Sequence, residues 1–356
     1  MPSLGAGMES GILAEWLVKP GAQVKRGDLI AVVETQKGAI DVEVFDTGVV
    51  TKLLVEPGTE VPVGTPLAYI DGAGAAAVTA PAPAAAQKER ARISPAARHR
   101  AQELGLDADK LAAAQGGVLN LEDVGRAAAG AKPAAPTAGM REAIAGAMTR
   151  SKREIPHYYL SATLDFSAAL DRLQDMNVAL PVAERLVYGV LLVRATALAV
   201  KRYPEFNGYW NDGGFAPAER VNVGVAISLR QGGLVAPALH DADRKDLATL
   251  MREFLDLVNR VRAGHMRSSE VAEPTITVSS LGEQGVDSVY PIIYPPQVAI
   301  VGFGSVVERP WAVEGRAEVR RTLTATLAAD HRLSDGHRGA LFLAHLRCLL
   351  EKPEGL

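Results

Sequence analysis

Hydrophobic positions follow two kinds of pattern along the chain. Over the first seventy residues they form Val/Ile/Leu-rich runs of strand length, broken by Pro-Gly and Gly turns. The stretch WLVKPGAQVKRGDLIAVVE, starting at Trp16, matches LLVEPGTEVPVGTPLAYID, starting at Leu53, at an offset of 37 residues. Pro20 falls on Pro57, Gly21 on Gly58, Val24 on Val61 and Gly27 on Gly64. Two such halves, related by a pseudo-twofold, predict a small flattened β-barrel or sandwich. Between them, VVETQKGAIDVEV has strand-like runs on both sides of Gln36-Lys37-Gly38, which predicts Lys37 at an exposed hairpin tip. From residue 140 onward, helical and strand patterns alternate. Residues 141–151, 186–202, 246–263 and 336–351 read as helices, the last with Leu341, Leu343, Leu346 and Leu350 on its apolar side. Residues 221–229, 274–279, 297–302 and 321–327 read as strands. This region is predicted to be α/β with a substantial core.

Composition supplies the boundaries. Residues 73–91 and 127–139 are almost entirely Ala, Pro, Gly and Thr, with too few large side chains to offset the entropy of ordering, and read as extended linkers. Between them, residues 92–126 form a unit too small for more than a marginal core. Ser94-Pro95 starts a first short helix that Gly105 closes, and Asn120-Leu-Glu-Asp123 opens a second. A unit of this kind docks onto a partner more readily than it performs chemistry. The expected order is therefore folded units at 1–72, 92–126 and 140–356.

Charge and cysteine usage narrow the function classes. With 38 basic and 41 acidic residues the net charge is −3, which provides no global basic field for nucleic acid or anionic lipid. The single cysteine, Cys348, excludes an internal disulfide and a cysteine-based zinc site. The N-terminal residues lack the basic-then-apolar pattern of a signal peptide. The most apolar stretch, 186–200, carries Arg194 and is too short to span a bilayer. A reducing cytoplasm is the expected compartment, and no metal site is expected.

Two motifs carry chemistry. A lysine on a hairpin tip is ordinarily a solvated bystander, but Lys37 sits at the centre of the repeat, on a turn that an enzyme can grasp. Glu34-Thr35-Gln36-Lys37-Gly38 resembles the tip of the biotinyl/lipoyl carrier domain, close to the lipoyl pattern Glu-Thr-Asp-Lys-Ala and without the flanking methionines of biotin carriers. The second motif, Asp330-His331-Arg332-Leu333-Ser334-Asp335-Gly336, follows a predicted strand and precedes a predicted helix. It resembles the His-x-x-x-Asp-Gly signature of the dihydrolipoamide acyltransferases and their relative chloramphenicol acetyltransferase. The resemblance extends through MREAIAGAMTRSKREIPHYYL, PEFNGYW, NVGVAISLRQGGLVAPALHDAD, TITVSSLG and IIYPPQVAIVGFG. The other six histidines read as structural or solvated.

The resemblance implies a multidomain chain: an all-β lipoyl barrel, a small α-helical peripheral-subunit-binding domain and an α/β chloramphenicol-acetyltransferase-like catalytic domain. It implies lipoate on Lys37 and coenzyme A as the acyl acceptor, with acetyl the expected acyl group. A neutral imidazole suits removal of a thiol proton near pH 7, and the resemblance gives His331 that task. It gives Ser279, with Ser280 as the alternative, the hydroxyl that stabilises the oxyanion, and Asp335 an orienting role through an arginine that is compatible with capping the last helix. Arg98 falls on one basic position of the binding-domain pattern, while Gln102 and Val118 stand where other cations would. The implied partners are a thiamine-diphosphate-dependent 2-oxo acid dehydrogenase or decarboxylase, dihydrolipoamide dehydrogenase, and further copies of the chain in trimers whose active sites lie between subunits. Two rival readings are a catalytically inactive scaffold and a stand-alone acetyltransferase. The second leaves residues 1–126 without a purpose.

Overall fold

The computed structural model describes residues 1, 10–35, 38–71, 137–229 and 233–356. Lys37, Arg98, the predicted helical unit and nearly all of both predicted linkers lie outside the described residues.

The N-terminal repeat folds as two small sheets. The strands are β1 (Ser10–Trp16), β2 (Gln23–Val24), β3 (Leu29–Thr35), β4 (Gly38–Glu43), β5 (Gly48–Leu53), β6 (Glu60–Pro62) and β7 (Ala68–Asp71). One sheet runs β4-β3-β1-β6 and the other β2-β5-β7. The internal repeat reappears in the backbone: Gly21 and Gly58 have φ of 91° and 84°, a region that glycine enters without a Cβ clash. Val24 and Val61, the matching apolar positions, are both buried, in a core with Leu13, Val33, Ile40, Val42 and Val50. Strands β3 and β4 pair antiparallel up to Thr35 opposite Gly38, so the pairing on both sides reaches the residues next to Gln36-Lys37.

The remainder begins with helix α1 (Thr137–Glu154), which starts three residues ahead of the boundary drawn from composition, so 137–139 are helical. There follow β8 (His157–Asp165), α2 (Ser167–Val178) and α3 (Tyr188–Arg202), then the hairpin β9 (Gly208–Asn211) and β10 (Gly214–Pro217). After these come β11 (Val223–Val225), β12 (Ile227–Ser228), β13 (Leu234–Val235) and β14 (Ala238–Leu239). Helix α4 (Leu247–Arg262), β15 (His265–Arg267), α5 (Ser268–Ala272) and β16 (Ile276–Ser280) lead to β17 (Ala299–Phe303), β18 (Val307–Val313), β19 (Arg316–Asp330) and α6 (Gly336–Glu351). Strands β14-β11-β16-β17-β19-β18 form a mixed sheet, and β8 lies on the other edge of β19 along nine paired residues, from Thr322–Asp165 to Asp330–His157. Helix α3 is buried along most of its length, as its apolar sequence requires. No described helix is long and apolar enough to cross a membrane.

Two expectations need correction. The run 221–229 is not one strand. Its first half, β11, lies between β14 and β16, whereas its second half, β12, pairs with β13 in a separate hairpin. Distant partners decide that break, and local β-propensity does not show it. On α6, Leu341 is exposed, and the buried stripe is Gly339, Phe342, Leu343, Leu346 and Leu350. Those positions recur at i, i+3, i+4 and i+7, and Leu341 lies one residue off that line.

Candidate active site

Strand β19 ends in the core at Asp330, whose side chain is fully buried. The chain then turns: the backbone N–H groups of Leu333 and Ser334 donate to the Asp330 carbonyl at 3.1 and 3.2 Å. His331 stands one residue past the strand, exposed, and its N–H donates to the Pro156 carbonyl at 3.0 Å. That contact ties it to the start of β8, and β8 supplies the wall beside it. The Tyr158 ring meets the His331 ring edge-on with centroids 5.4 Å apart, and the Tyr158 hydroxyl shares a 2.8 Å hydrogen bond with Ser334 Oγ. Burial is the main cause that raises the Tyr158 pKa, so it is a neutral phenol at physiological pH. Gly339 on α6 makes room for this ring: a Cβ there would fall 2.9 Å from Tyr158 Cε2.

The residues on either side of His331 clamp each other. Arg332 Nε donates to both Asp330 carboxylate oxygens at 2.9 and 3.0 Å, and Nη2 donates to Oδ2 at 2.6 Å. The guanidinium lies over the Trp210 ring, 4.1 Å from its centroid. A carboxylate this deep needs such pairing, because burying a lone charge costs several kcal/mol. The planar Arg fork suits it better than a lysine would. Sequence reasoning singled out His331 and missed this clamp. Its signal was present, an Asp and an Arg straddling the histidine.

Asp335 is the N-cap of α6, and its carboxylate accepts from the Arg338 backbone N–H at 2.9 Å. That hydrogen bond, with smaller contributions from His337 and His331, lowers its pKa. The carboxylate that grips an arginine beside His331 is Asp330. Arg338 instead turns to Glu205, with Nε donating to Oε1 at 2.6 Å.

Ser279 is partly exposed near the end of β16. It stands opposite Gly302 on β17, and Gly302 stands opposite Thr326 on β19. His331 is five residues beyond Thr326, so about 16 Å along the strand and two interstrand steps of about 5 Å separate it from Ser279, roughly 19 Å in all. Within one chain, the two catalytic candidates are not brought together. Ser280, the alternative, is exposed one residue further along the same strand.

A two-sheet β domain whose strands β3 and β4 pair up to Thr35 and Gly38, followed by an α/β unit that presents a histidine at a strand end, fits a carrier-fed group-transfer enzyme. Residues 130–356 match the family model described as 2-oxoacid dehydrogenases acyltransferase (catalytic domain), and residues 1–70 match the one described as biotin-requiring enzyme. The chain belongs to the 2-oxoacid dehydrogenase acyltransferase family. It is 30% identical to the dihydrolipoyllysine-residue acetyltransferase component of the pyruvate dehydrogenase complex of Rhizobium meliloti, over 100% of this chain and 98% of that protein. The Azotobacter vinelandii dihydrolipoamide acetyltransferase structure is similar, with a TM-score of 0.58 and 26% identity over 61% of this chain and 90% of that one. That structure addresses the role of a serine, a histidine and an asparagine in catalysis. The cubic core of a pyruvate dehydrogenase multienzyme complex matches to the same extent, with a TM-score of 0.58, 26% identity and coverage of 61% and 90%. The chain is thus a lipoate-dependent acyltransferase that works with coenzyme A.

Proposed function

We propose that the protein is the dihydrolipoyllysine-residue acetyltransferase of a cytoplasmic 2-oxo acid dehydrogenase complex, with its active site assembled between two copies of the chain. The observation that carries this reading is the strand register, Ser279 opposite Gly302 and Gly302 opposite Thr326, which by ordinary strand spacings puts His331 roughly 19 Å from Ser279 in one chain. A neighbouring copy has to bring its Ser279 to the first copy's His331. Spacing supports the assignment: in the Azotobacter vinelandii enzyme the named serine precedes the histidine by 52 residues and the asparagine follows it by 4, and Ser279, His331 and Asp335 have the same spacings. Asp335 takes the asparagine's place, and its cap on α6 holds the turn that carries His331.

Lipoate, amide-linked to Lys37, supplies the acyl thioester. His331 takes the proton from the thiol of coenzyme A and returns it to the departing dihydrolipoyl sulfur, and the acyl carbon exchanges one C–S bond for another. Ser279 donates its hydroxyl hydrogen bond to the carbonyl oxygen as negative charge grows there, a contribution of about 3–4 kcal/mol. The Asp330–Arg332 clamp and the Tyr158 edge hold the imidazole toward the incoming thiol. The 2-oxo acid dehydrogenase or decarboxylase would load the arm, dihydrolipoamide dehydrogenase would reoxidise it, and Arg98 would contribute to docking one of them.

Subunit mixing tests the reading. His331→Ala and Ser279→Ala are each expected to lower coenzyme A acetylation by about 10²–10⁴-fold. Refolded together in equal amounts, they should recover about a quarter of wild-type activity, because in a cyclic ring one site in four would receive an intact histidine and an intact serine. No recovery in verified mixed oligomers would refute the shared site.

A further inference from the structure

Strand β15 belongs to the α/β unit by sequence, yet it has no strand partner there among the described residues. It pairs parallel with β4 of the N-terminal barrel, in the register His265–Ala39, Met266–Ile40 and Arg267–Asp41. It thereby completes a five-stranded sheet in the order β15-β4-β3-β1-β6. Side chains reinforce the ladder. The Glu43 N–H donates to Ser268 Oγ at 3.1 Å, the Ser269 N–H donates to Glu43 Oε2 at 3.2 Å, and the Ser269 hydroxyl also donates to that oxygen. Val271 packs against the cores of both units. The last rung sets Arg267 beside Asp41, opposite charges at one level of the sheet.

The α/β unit presents this strand on a rigid bracket. Arg260 on α4 grips Glu270 of α5 through two hydrogen bonds, at 2.8 and 2.5 Å, and Glu270 also accepts from the Arg267 N–H at 3.0 Å. The pairing with Glu270 raises the Arg260 pKa, so Arg260 stays charged at any physiological pH. Three backbone rungs, the Glu43 hydrogen bonds to Ser268 and Ser269 and the Val271 contact make a small interface, too small to join two separate proteins firmly. Both sides belong to one chain, and covalent linkage raises the effective concentration to the millimolar range, where such an interface suffices. An unpaired β4 would otherwise be an open sheet edge.

We propose that β15 and the start of α5 form a dock for the carrier domain of the same chain, engaged by strand addition to the β4 edge. The paired rungs begin two residues after Lys37 in sequence, so a partner enzyme that grips the β4 edge and the dock are mutually exclusive. The dock does not depend on lipoylation or on the catalytic pair.

Disulfide trapping in the full-length protein tests it. Asp41→Cys/Arg267→Cys, with Cys348→Ser, places two thiols on one rung. Under mild oxidation it should close an intrachain disulfide at least tenfold faster than Asp41→Cys alone, which retains the exposed native Cys348 on α6 as a control thiol. Adding Ser269→Glu, which sets a second carboxylate against Glu43, should remove that advantage, and adding Glu43→Lys to it should restore the rate. Acetyl transfer from acetyl-coenzyme A to the thiol of free dihydrolipoamide, which releases coenzyme A, should be unchanged in the Ser269→Glu chain, showing that the α/β unit is folded. Equal trapping rates for the test and control pairs, indifference to Ser269→Glu, or disulfides formed only between chains would overturn the proposal.

Discussion

The Asp330–Arg332 clamp allows the sharpest energetic test. Arg332→Gln removes the guanidinium and leaves a fully buried carboxylate facing a neutral amide. Breaking a buried pair by removing one member costs about 3–5 kcal/mol. The Arg332 side chain is 29% exposed, so water recovers part of that loss and the lower end applies. The contact with Trp210 adds about 0.5–1 kcal/mol. Arg332→Gln should therefore destabilise the protein by about 3.5–4 kcal/mol. Asp330→Asn keeps an acceptor in the cavity and removes the charge, at about 1–2 kcal/mol. The double variant should cost clearly less than the two singles together, with a coupling of about 1–2 kcal/mol. Urea unfolding at one fixed protein concentration measures all four corners, since assembly would otherwise make stability depend on concentration. A cost below about 1 kcal/mol for Arg332→Gln, or additivity within about 0.5 kcal/mol, would show that the clamp does not hold the His331 turn.

Other expected outcomes are as follows. Gly339→Ala brings a methyl to 2.7 Å from Leu160 Cδ1 and 2.9 Å from the Tyr158 ring; it should cost about 1–3 kcal/mol and lower kcat/KM by tilting that ring away from His331. His157 Nε2 accepts from the Ile293 N–H at 3.1 Å while Nδ1 donates to the Ile155 carbonyl at 2.8 Å, and burial, the main cause, lowers its pKa from 6.5. The folded state therefore favours the neutral ring, so this contribution is complete above pH 6.5 and is lost as the pH falls through the lower folded value. Tm measured from pH 7.5 to 5.5 should fall less steeply in His157→Gln, which cannot titrate; identical slopes would contradict this. Expression in a lipoylating host should give one lipoyl adduct by intact mass, abolished by Lys37→Arg, and an adduct on another lysine would overturn the carrier assignment. Residues 92–126, with Gln102 and Val118 in place of cations, should bind a partner dehydrogenase or decarboxylase weakly, or through an apolar patch including Val118 and Leu119, when titrated at about 50 and 200 mM salt, and a steep salt dependence removed by Arg98→Ala would contradict that.

Much of this architecture is written locally. The repeat around Gly21 and Gly58 specifies two matching turns because few residues other than glycine reach those φ values without strain. Strand alternation then buries Val24 and Val61. The cap at Asp335 and the limits of α6 follow from short-range signals that need no distant partner, an acidic cap and an apolar stripe, whereas β19 extends to Arg316–Asp330, beyond the 321–327 read from the sequence, because β18 and β8 together pair along its full length. What the sequence could not specify depends on pairing between distant segments. Whether 221–229 is one strand or two is decided by β14, β16 and β13, which compete for its edges. Tyr158 reaches His331 only because β8 adds along β19 in one particular register. The parallel course of β16 and β17 against an antiparallel β19 sets Ser279 and His331 at opposite ends of the sheet, a separation that no spacing in the sequence reveals. The dock at β15 is legible only in the folded chain, because its three residues acquire a partner from a domain more than two hundred positions away.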